Sequence, residues 1–171
     1  GGAGGVGYIA IQLAKYLGAT VLTTVSSEEK ADFVTSLGAD YCINYKTDDI
    51  QQEITKITNE KGVDKVFDIV GGKVFAASFP LTNMYGNIVT LDEIEISKEE
   101  AKLAKLRNLA LSYELMLTPS HFKMHHERCI QREMLEKATA LIDNKDVEIH
   151  LSRIFSLENV RQAHELIEAG H

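Results

Sequence analysis

The sequence predicts an α/β fold built on a doubly wound parallel sheet. From residue 8 to about residue 114, apolar stretches with helical spacing alternate with short β-branched stretches. Strand–helix–strand alternation of this kind implies parallel pairing through right-handed crossovers. The first helical stretch follows a glycine-rich turn at residues 1–7, and no strand precedes that turn in the sequence. We therefore expect the sheet to lack its first strand.

Local signals place each element in order. Residues 8–17 form an apolar helix that ends at Gly18, and residues 20–25 form a β-branched strand that is expected to be buried. Ser27 and the two glutamates after it begin a second helix, which ends near Gly38. The other predicted strands are 41–43, 63–70, 87–91 and 108–114. The other predicted helices are 48–58, 74–79, a charge-rich 93–105, one that continues to about residue 144, and one after Ser156. Residues 147–154 are expected to be extended.

The glycine-rich turn carries the clearest chemical signal. Gly2, Gly4 and Gly7 form the pattern G-x-G-x-x-G directly before a helix. Glycines in this pattern allow a tight turn, a close approach of backbone amides to a pyrophosphate, and close packing of the helix on the sheet. The helix N-terminus offers unpaired N–H groups and a partial positive charge to an anion. The candidate cofactor-binding residues of this Rossmann-type turn are Gly2, Ala3, Gly4, Gly5, Val6 and Gly7.

Composition limits the classes of partner. The chain has 171 residues, a hydrophobic fraction of 44% and a formal net charge of −7, and an acidic balance argues against nucleic-acid binding. The sequence contains no visible signal peptide and no apolar stretch long enough to span a membrane. Its two cysteines, Cys42 and Cys129, are too few for a disulfide framework. We therefore expect a cytoplasmic protein without nucleic-acid or membrane partners.

Several other chemistries lack their sequence patterns. The chain has no Tyr-x-x-x-Lys pair of a short-chain reductase, no G-x-S-x-G turn of a hydrolase, and no Gly-Lys-Ser/Thr of a P-loop. His121, His125 and Cys129 recur at intervals of four residues, a spacing that would suit zinc on one helix. We interpret this stretch as a polar loop, since a clear helical pattern begins only near Ile130. No metal site is therefore expected.

Four segments along nearly the whole chain share the order and spacing of one family: GGAGGVGYIAIQLAKYLGATV, SSEEKADFVTSLGADYCINYKTDD, GVDKVFDIVGG and FSLENVRQAHELIEAGH. Together they resemble the cofactor-binding half of the medium-chain dehydrogenase/reductase superfamily, closest to its quinone-reductase and zinc-type alcohol-dehydrogenase-like branch. The resemblance implies that residues 1–145 form a dinucleotide-binding domain whose first strand is truncated. It also implies that residues 146–171 pack back on a catalytic domain outside this sequence, and that any zinc is held by that domain.

The same resemblance makes predictions about the sheet. The superfamily's strand order is 3-2-1-4-5-6, so removal of the first strand leaves a slot of roughly 10 Å between the second and fourth strands. We expect that these two strands close up directly, that another chain fills the slot, or that residues outside the described ones fill it. Relatives commonly dimerise through the last strand of the sheet, which predicts a homodimer through the edge at residues 108–114.

The choice of dinucleotide follows from the end of the second strand. NAD-type folds place an acidic residue there to bind the ribose hydroxyls, whereas this sequence has Ser26 and Ser27, with Lys30 one helical turn later. Tyr45 resembles the family residue that helps to hold the 2′-phosphate of NADP. We therefore favour NADP(H) over NAD. By resemblance, Val70 and Gly71 lie beside the cofactor, and the strand that ends at Leu91 reaches the nicotinamide.

The predicted function is therefore that of the cofactor-binding domain of an NADP(H)-dependent oxidoreductase. The complete enzyme would reduce a carbonyl compound, an activated alkene or a quinone, or oxidise an alcohol. The sequence predicts no catalytic residue in this chain, which is expected to be inactive by itself because the family's substrate contacts lie in the other domain. A non-catalytic dinucleotide-binding module, acting as a redox sensor or in assembly, remains the alternative.

Overall fold

A computed structural model describes residues 1–93 and 95–169 of the chain. The two last residues of the predicted C-terminal segment, 170–171, lie outside the described residues. The elements are, in chain order, α1 Gly7–Tyr16, β1 Leu22–Val25, α2 Glu28–Ser36, β2 Tyr41–Asn44, α3 Ile50–Ile57, β3 Val63–Asp68, α4 Gly72–Leu81, β4 Thr82–Thr90, α5 Lys98–Arg107, β5 Ala110–Tyr113, α6 Thr118–His121, α7 His125–Asp143 and, after a 3₁₀ turn at Leu157–Asn159, α8 Val160–Glu168. Every strand pairing is parallel, so the predicted α/β class is confirmed.

Side-chain caps explain why several helices begin where they do. The Ser27 hydroxyl accepts a hydrogen bond from the Lys30 amide at 3.3 Å, and this bond starts α2 at the predicted place. Asp49 caps α3 in the same way, and Ser97 with Glu100 forms a capping box at the start of α5. Each cap provides an acceptor for an amide that would otherwise have no partner in the first helical turn.

The strands form two separate sheets. β1 pairs with β2, and β3, β4 and β5 form a second sheet in that order, with no pairing between β1 and β3 among the described residues. The prediction that the strands on either side of the slot close up is therefore wrong. The Gly2 amide donates to the Thr24 carbonyl at 3.1 Å, and a Cβ on Gly1 would lie 3.4 Å from the side chains of Ile69 and Val70. The first residues of the glycine turn thus occupy the space between the carboxyl ends of β1 and β3.

Each sheet has its own hydrophobic core. One core consists of Ile11, Val25, Val34 and Ala39, contributed by α1, β1, α2 and the turn that follows. The other consists of Phe75, Phe79 and Ile88, packed between α4 and the second sheet. The strand predicted at residues 20–25 was expected to be buried, and in β1 only Val25 is buried whereas the other residues are half-buried. Among the described residues, β1 has no partner strand on the edge opposite β2.

The C-terminal part differs from the prediction at one helix start. α7 begins at His125, upstream of the predicted start near residue 130. Residues 148–156, which include most of the stretch expected to be extended, form neither helix nor strand. The predicted last helix is confirmed by the 3₁₀ turn and α8. Among the described helices, none combines the length and the apolar character needed to cross a membrane.

Candidate functional site

Close backbone packing explains two of the three motif glycines. A Cβ on Gly7 would overlap the Gly1 carbonyl oxygen and would lie 2.8 Å from the Gly2 carbonyl oxygen. A Cβ on Gly2 would overlap the Thr23 hydroxyl oxygen and would lie 3.1 Å from the Ile11 side chain. These glycines therefore allow the start of α1 to pack against the turn and allow the turn to pack against β1.

The middle of the turn has the opposite character, because it is open. A Cβ on Gly5 would meet no atom within 4 Å, and one on Gly4 would touch only the Gly1 carbonyl oxygen, at 3.4 Å. Space over Gly4 and Gly5 is what a ligand needs if it is to approach the backbone.

The same turn contains backbone amides that are free to donate hydrogen bonds to a ligand. The amides of Gly4 and Tyr8 are paired with the carbonyls of Gly1 and Gly4, respectively. In the part of the chain that the structure describes, the amides of Gly5, Val6 and Gly7 have no hydrogen-bond acceptor. These N–H groups lie at the N-terminus of a ten-residue helix, so their partial positive charge adds to that of the helix dipole. The turn is thus suited to bind a pyrophosphate.

The predicted hydroxyl residues lie at the ends of two paired strands. Val25 of β1 is in register with Asn44 of β2, and the Tyr45 amide donates to the Val25 carbonyl at 3.1 Å. Ser26 and Tyr45 therefore follow the paired strands at the same edge of the sheet. This edge is also next to the glycine turn, since the Gly2 amide is bonded to Thr24 of β1.

The α2 cap brings the basic residue to this edge. Ser27 is the cap itself, and Lys30 lies in the first turn of α2 with an exposed side chain. Among the described residues, Lys30 forms no ion pair. Lys46, which sequence reasoning missed, directly follows Tyr45 and is also exposed. Only the register of β1 and β2 shows that Lys46 comes to the same edge as Ser26.

A second group of predicted residues is held in place by Asp68, the last residue of β3. Asp68 is 3% exposed, and its carboxylate accepts hydrogen bonds from the amides of Val70 and Gly71 and, at 2.8 Å, from the Thr90 hydroxyl. The Leu91 amide donates to the Asp68 carbonyl at 3.2 Å. Asp68 thus ties the loop after β3 to the end of β4, which makes it a structural residue that sequence reasoning did not identify.

The predicted cofactor residues of this group lie at the carboxyl edge of the second sheet. Val70 and Leu91 are 53% and 38% exposed. Gly71 has φ +72°, and a Cβ there would lie 2.8 Å from the Asp92 carboxyl carbon. Gly1 lies between the residues that follow β1 and β2 and the residues that follow β3 and β4. It contacts Thr24 on one side and Val70 on the other.

The candidate metal ligands do not come together. His121 lies in α6, whereas His125 and Cys129 lie in α7, so the interpretation of this stretch as a loop is wrong in part. α7 starts without a side-chain cap, so no capping residue marks its beginning in the sequence. Within residues 1–93 and 95–169, no group of three or more His, Cys, Asp or Glu side chains is arranged to hold a metal ion.

One surface depression lies beside α3. It has a volume of about 690 Å³ and is lined by α3 and its flanking residues, from Asp49 to Glu60. A single helix supplies most of its lining, and it is open to solvent, so it lacks the convergent groups of a ligand site. We assign the candidate site to the carboxyl edge of the two sheets.

Comparison with known proteins adds independent findings. The family model for zinc-binding dehydrogenases matches residues 5–144 of the chain. A "Probable quinone oxidoreductase" of Leishmania amazonensis is 41% identical over 97 residues, which is 56% of this chain and 28% of that protein. A zinc-type alcohol dehydrogenase-like protein of Staphylococcus aureus is 31% identical over 177 residues, covering 98% of this chain and 50% of its own length. The chain thus spans about half or less of the length of these relatives.

Solved structures with the same fold include two of related proteins. An alcohol dehydrogenase superfamily protein from Novosphingobium aromaticivorans superposes with a TM-score of 0.87 at 27% identity, covering 99% of this chain and 49% of that one. The quinone oxidoreductase of Escherichia coli, crystallised in complex with NADPH, superposes with a TM-score of 0.82 at 25% identity, covering 98% and 52% of the two chains.

Proposed function

Because the chain belongs to the zinc-binding dehydrogenase family, we propose that it is the cofactor-binding domain of an NADP(H)-dependent oxidoreductase. The complete enzyme reduces a carbonyl compound, an activated alkene or a quinone, or oxidises an alcohol. The similarity to a "Probable quinone oxidoreductase" and to a 2-haloacrylate reductase supports the reduction of a quinone or an activated alkene, and the similarity to a zinc-type alcohol dehydrogenase-like protein supports the oxidation of an alcohol. The NADPH complex of the Escherichia coli neighbour supports the cofactor.

The open glycine turn, with its amides that have no acceptor among the described residues, is the main support for this function. The amides of Gly5, Val6 and Gly7 bind the pyrophosphate, and the absence of a side chain on Gly4 and Gly5 lets it approach the backbone. The nicotinamide ring, when bound, supplies or accepts the hydride. The role of this chain is to hold and orient the dinucleotide, so no residue here takes part in a chemical step.

The edge formed by Ser26, Ser27, Lys30 and Tyr45 binds the 2′-phosphate of the adenosine ribose. Hydroxyls donate hydrogen bonds to a phosphate, and the Lys30 ammonium adds a charge-assisted contact. Lys46 supplies a second cation at this edge. The loop with Val70 and Gly71, together with Leu91, covers the other end of the dinucleotide with apolar surface. These assignments favour NADP(H) over NAD(H) as the cofactor.

We do not propose a zinc site in this chain. Among residues 1–93 and 95–169, no suitable set of ligands comes together, so these residues do not fit a zinc site. In a family member that uses zinc, we propose that the ligands come from the part of the protein outside this sequence.

Substitutions at the phosphate edge test the choice of dinucleotide. Lys30→Ala is expected to raise the Kd for NADPH roughly 10-fold or more, because a charge-assisted contact contributes about 1.5–3 kcal/mol, and to leave the Kd for NADH unchanged. Ser26→Asp is expected to favour NADH, since the new carboxylate repels a 2′-phosphate and accepts from ribose hydroxyls. Calorimetric titration of the full-length protein with both cofactors measures these effects.

A lysine on α3 provides the control. Lys56 is exposed and pairs only with Glu53 of the same helix, so Lys56→Ala is expected to leave both Kd values unchanged. Equal Kd values for NADPH and NADH in the wild type would contradict the NADP assignment. Turnover decides between an enzyme and the alternative: tight NADPH binding without oxidation by any of a panel of enones and quinones would identify a sensor.

We also propose a homodimer through the edge of the second sheet. β5 is the outer strand of that sheet, and the residues that follow it, Leu115, Met116 and Leu117, are 59%, 71% and 58% exposed. An unpaired strand edge beside an apolar surface favours association with a second copy. Sedimentation analysis is expected to show a dimer that Met116→Lys converts to a monomer. A monomeric wild type at high concentration would contradict the proposal.

A further inference from the structure

Gln12 forms an unusual contact between distant parts of the chain. It lies on α1, five residues after Gly7, and is only 6% exposed. Its side-chain amide Nε2 donates to the Glu148 carbonyl at 3.1 Å, and its Oε1 accepts from the Glu148 amide at 2.7 Å. Nε2 also donates to the Tyr8 carbonyl at 3.1 Å. Gln12 thus satisfies both backbone groups of Glu148 and uses both of its own N–H donors.

The residues around Glu148 have few other means of attachment. They belong to no helix or strand, so no ladder of backbone hydrogen bonds holds them. Val147 is 4% exposed, and the His150 ring packs at 4.9 Å on Phe33 of α2. Among the residues that the structure describes, the paired hydrogen bonds of Gln12 therefore provide the polar connection between this segment and α1.

We propose that Gln12 is a positioning residue that couples the phosphate-binding end of α1 to the docking of residues 147–150. This inference rests on the proposed function, because the glycine turn at the start of α1 is the proposed pyrophosphate site. Gln12 lies about 7.5 Å along the helix from Gly7, and through Tyr8 it also holds the first turn. A contact that fixes α1 fixes the direction of the free amides at its N-terminus. Coupling of this kind is reciprocal, so NADPH binding also stabilises the docked segment.

Two substitutions separate the parts of this contact. Gln12→Leu removes both hydrogen bonds to Glu148 and is expected to raise the Kd for NADPH about 5- to 10-fold in the full-length protein. In the wild type, NADPH is expected to slow hydrogen exchange of the Glu148 amide, and Gln12→Leu is expected to remove this effect. Gln51→Leu, which replaces an exposed glutamine of α3, is the control and is expected to change neither readout.

Gln12→Glu adds a readout that a loss of packing would not produce. An ionised carboxylate can accept from the Glu148 amide but cannot donate to the Glu148 carbonyl, whereas a protonated carboxyl can do both. Burial raises the pKa of such a carboxyl, so the Kd of this variant is expected to approach the wild-type value as the pH falls from 8 to about 5.5. The Kd of the wild type for NADPH is measured at each pH as well, and the ratio of the two Kd values removes the effect of the other titratable groups near Gln12. These groups are Tyr8, Lys15, Tyr16, Lys145, Asp146 and Glu148.

The outcomes distinguish this inference from the proposed function. Failure of the wild type to bind NADPH would overturn the proposed function. The positioning role is then tested without NADPH, by hydrogen exchange of the Tyr8 and Ala10 amides in the first turn of α1. Gln12→Leu is expected to accelerate this exchange. Unchanged exchange at these amides, or an unchanged Kd in folded Gln12→Leu, would overturn the inference. A pH-independent Kd for Gln12→Glu would also overturn it.

Discussion

Gly7→Ala is expected to destabilise the protein by about 3 kcal/mol and to abolish dinucleotide binding. The added methyl group would overlap the Gly1 carbonyl oxygen and lie 2.8 Å from the Gly2 carbonyl oxygen, and backbone atoms cannot rotate away as a side chain can. Alanine normally stabilises a helix relative to glycine by about 1 kcal/mol, so the expected effect has the opposite sign. Urea unfolding followed by circular dichroism measures the stability, and titration with NADPH measures the binding.

Gly5→Ala is the matched control, because it adds the same methyl group to the same turn. No atom lies within 4 Å of its Cβ position, so stability is expected to stay within about 0.5 kcal/mol of the wild type. NADPH binding is nevertheless expected to weaken, since the methyl group lies over the proposed pyrophosphate site. A stable Gly7→Ala protein that binds NADPH normally would contradict the role assigned to this glycine.

Asp68→Ala is expected to cost roughly 3 kcal/mol or more of folding free energy. The substitution leaves the amides of Val70 and Gly71 and the hydroxyl of Thr90 without their buried acceptor, and each unsatisfied group costs about 1–3 kcal/mol. Because Asp68 also joins the ends of β3 and β4, loss of its side chain is expected to increase hydrogen exchange at Gly71 and Leu91. Thermal and urea unfolding measure the change in stability.

A second aspartate of the same strand serves as the control for that substitution. Asp64 of β3 is exposed and accepts a hydrogen bond from the Asn83 side chain at 2.9 Å. Asp64→Ala is expected to change the stability by less than about 1 kcal/mol, because its partner remains accessible to water. Equal losses for the two variants would show that burial of Asp68 does not have the importance we assign to it.

Features of the fold that depend on local chemistry could be predicted from the sequence. Ser27 before two glutamates predicts the start of α2, and the structure confirms it through the bond to the Lys30 amide. β-branched and apolar stretches predict the strands in the correct order. By contrast, α7 begins at His125 with no capping side chain, so nothing local to that residue marks the helix start.

Features that depend on contacts between distant residues could not be predicted. The role of Asp68 requires knowledge that Thr90 lies beside it, and Lys46 joins the candidate site only because Asn44 is in register with Val25. The contact between Gln12 and Glu148 joins residues 136 positions apart, and the apolar pattern of α1 does not predict a partner for Gln12. The strand order of the superfamily predicts a slot between β1 and β3, but the position of Gly1 and Gly2 between the carboxyl ends of these strands could not be predicted.

The division into two sheets has a consequence for how the protein loses its structure. Each sheet has a separate hydrophobic cluster, one around Val34 and one around Phe79, and among residues 1–93 and 95–169 no strand ladder joins the two. Within this described part, the two clusters therefore form two cooperative units, which can open with different free energies. Since the glycine turn touches both, occupation of this turn by a ligand is what would make the two units unfold together.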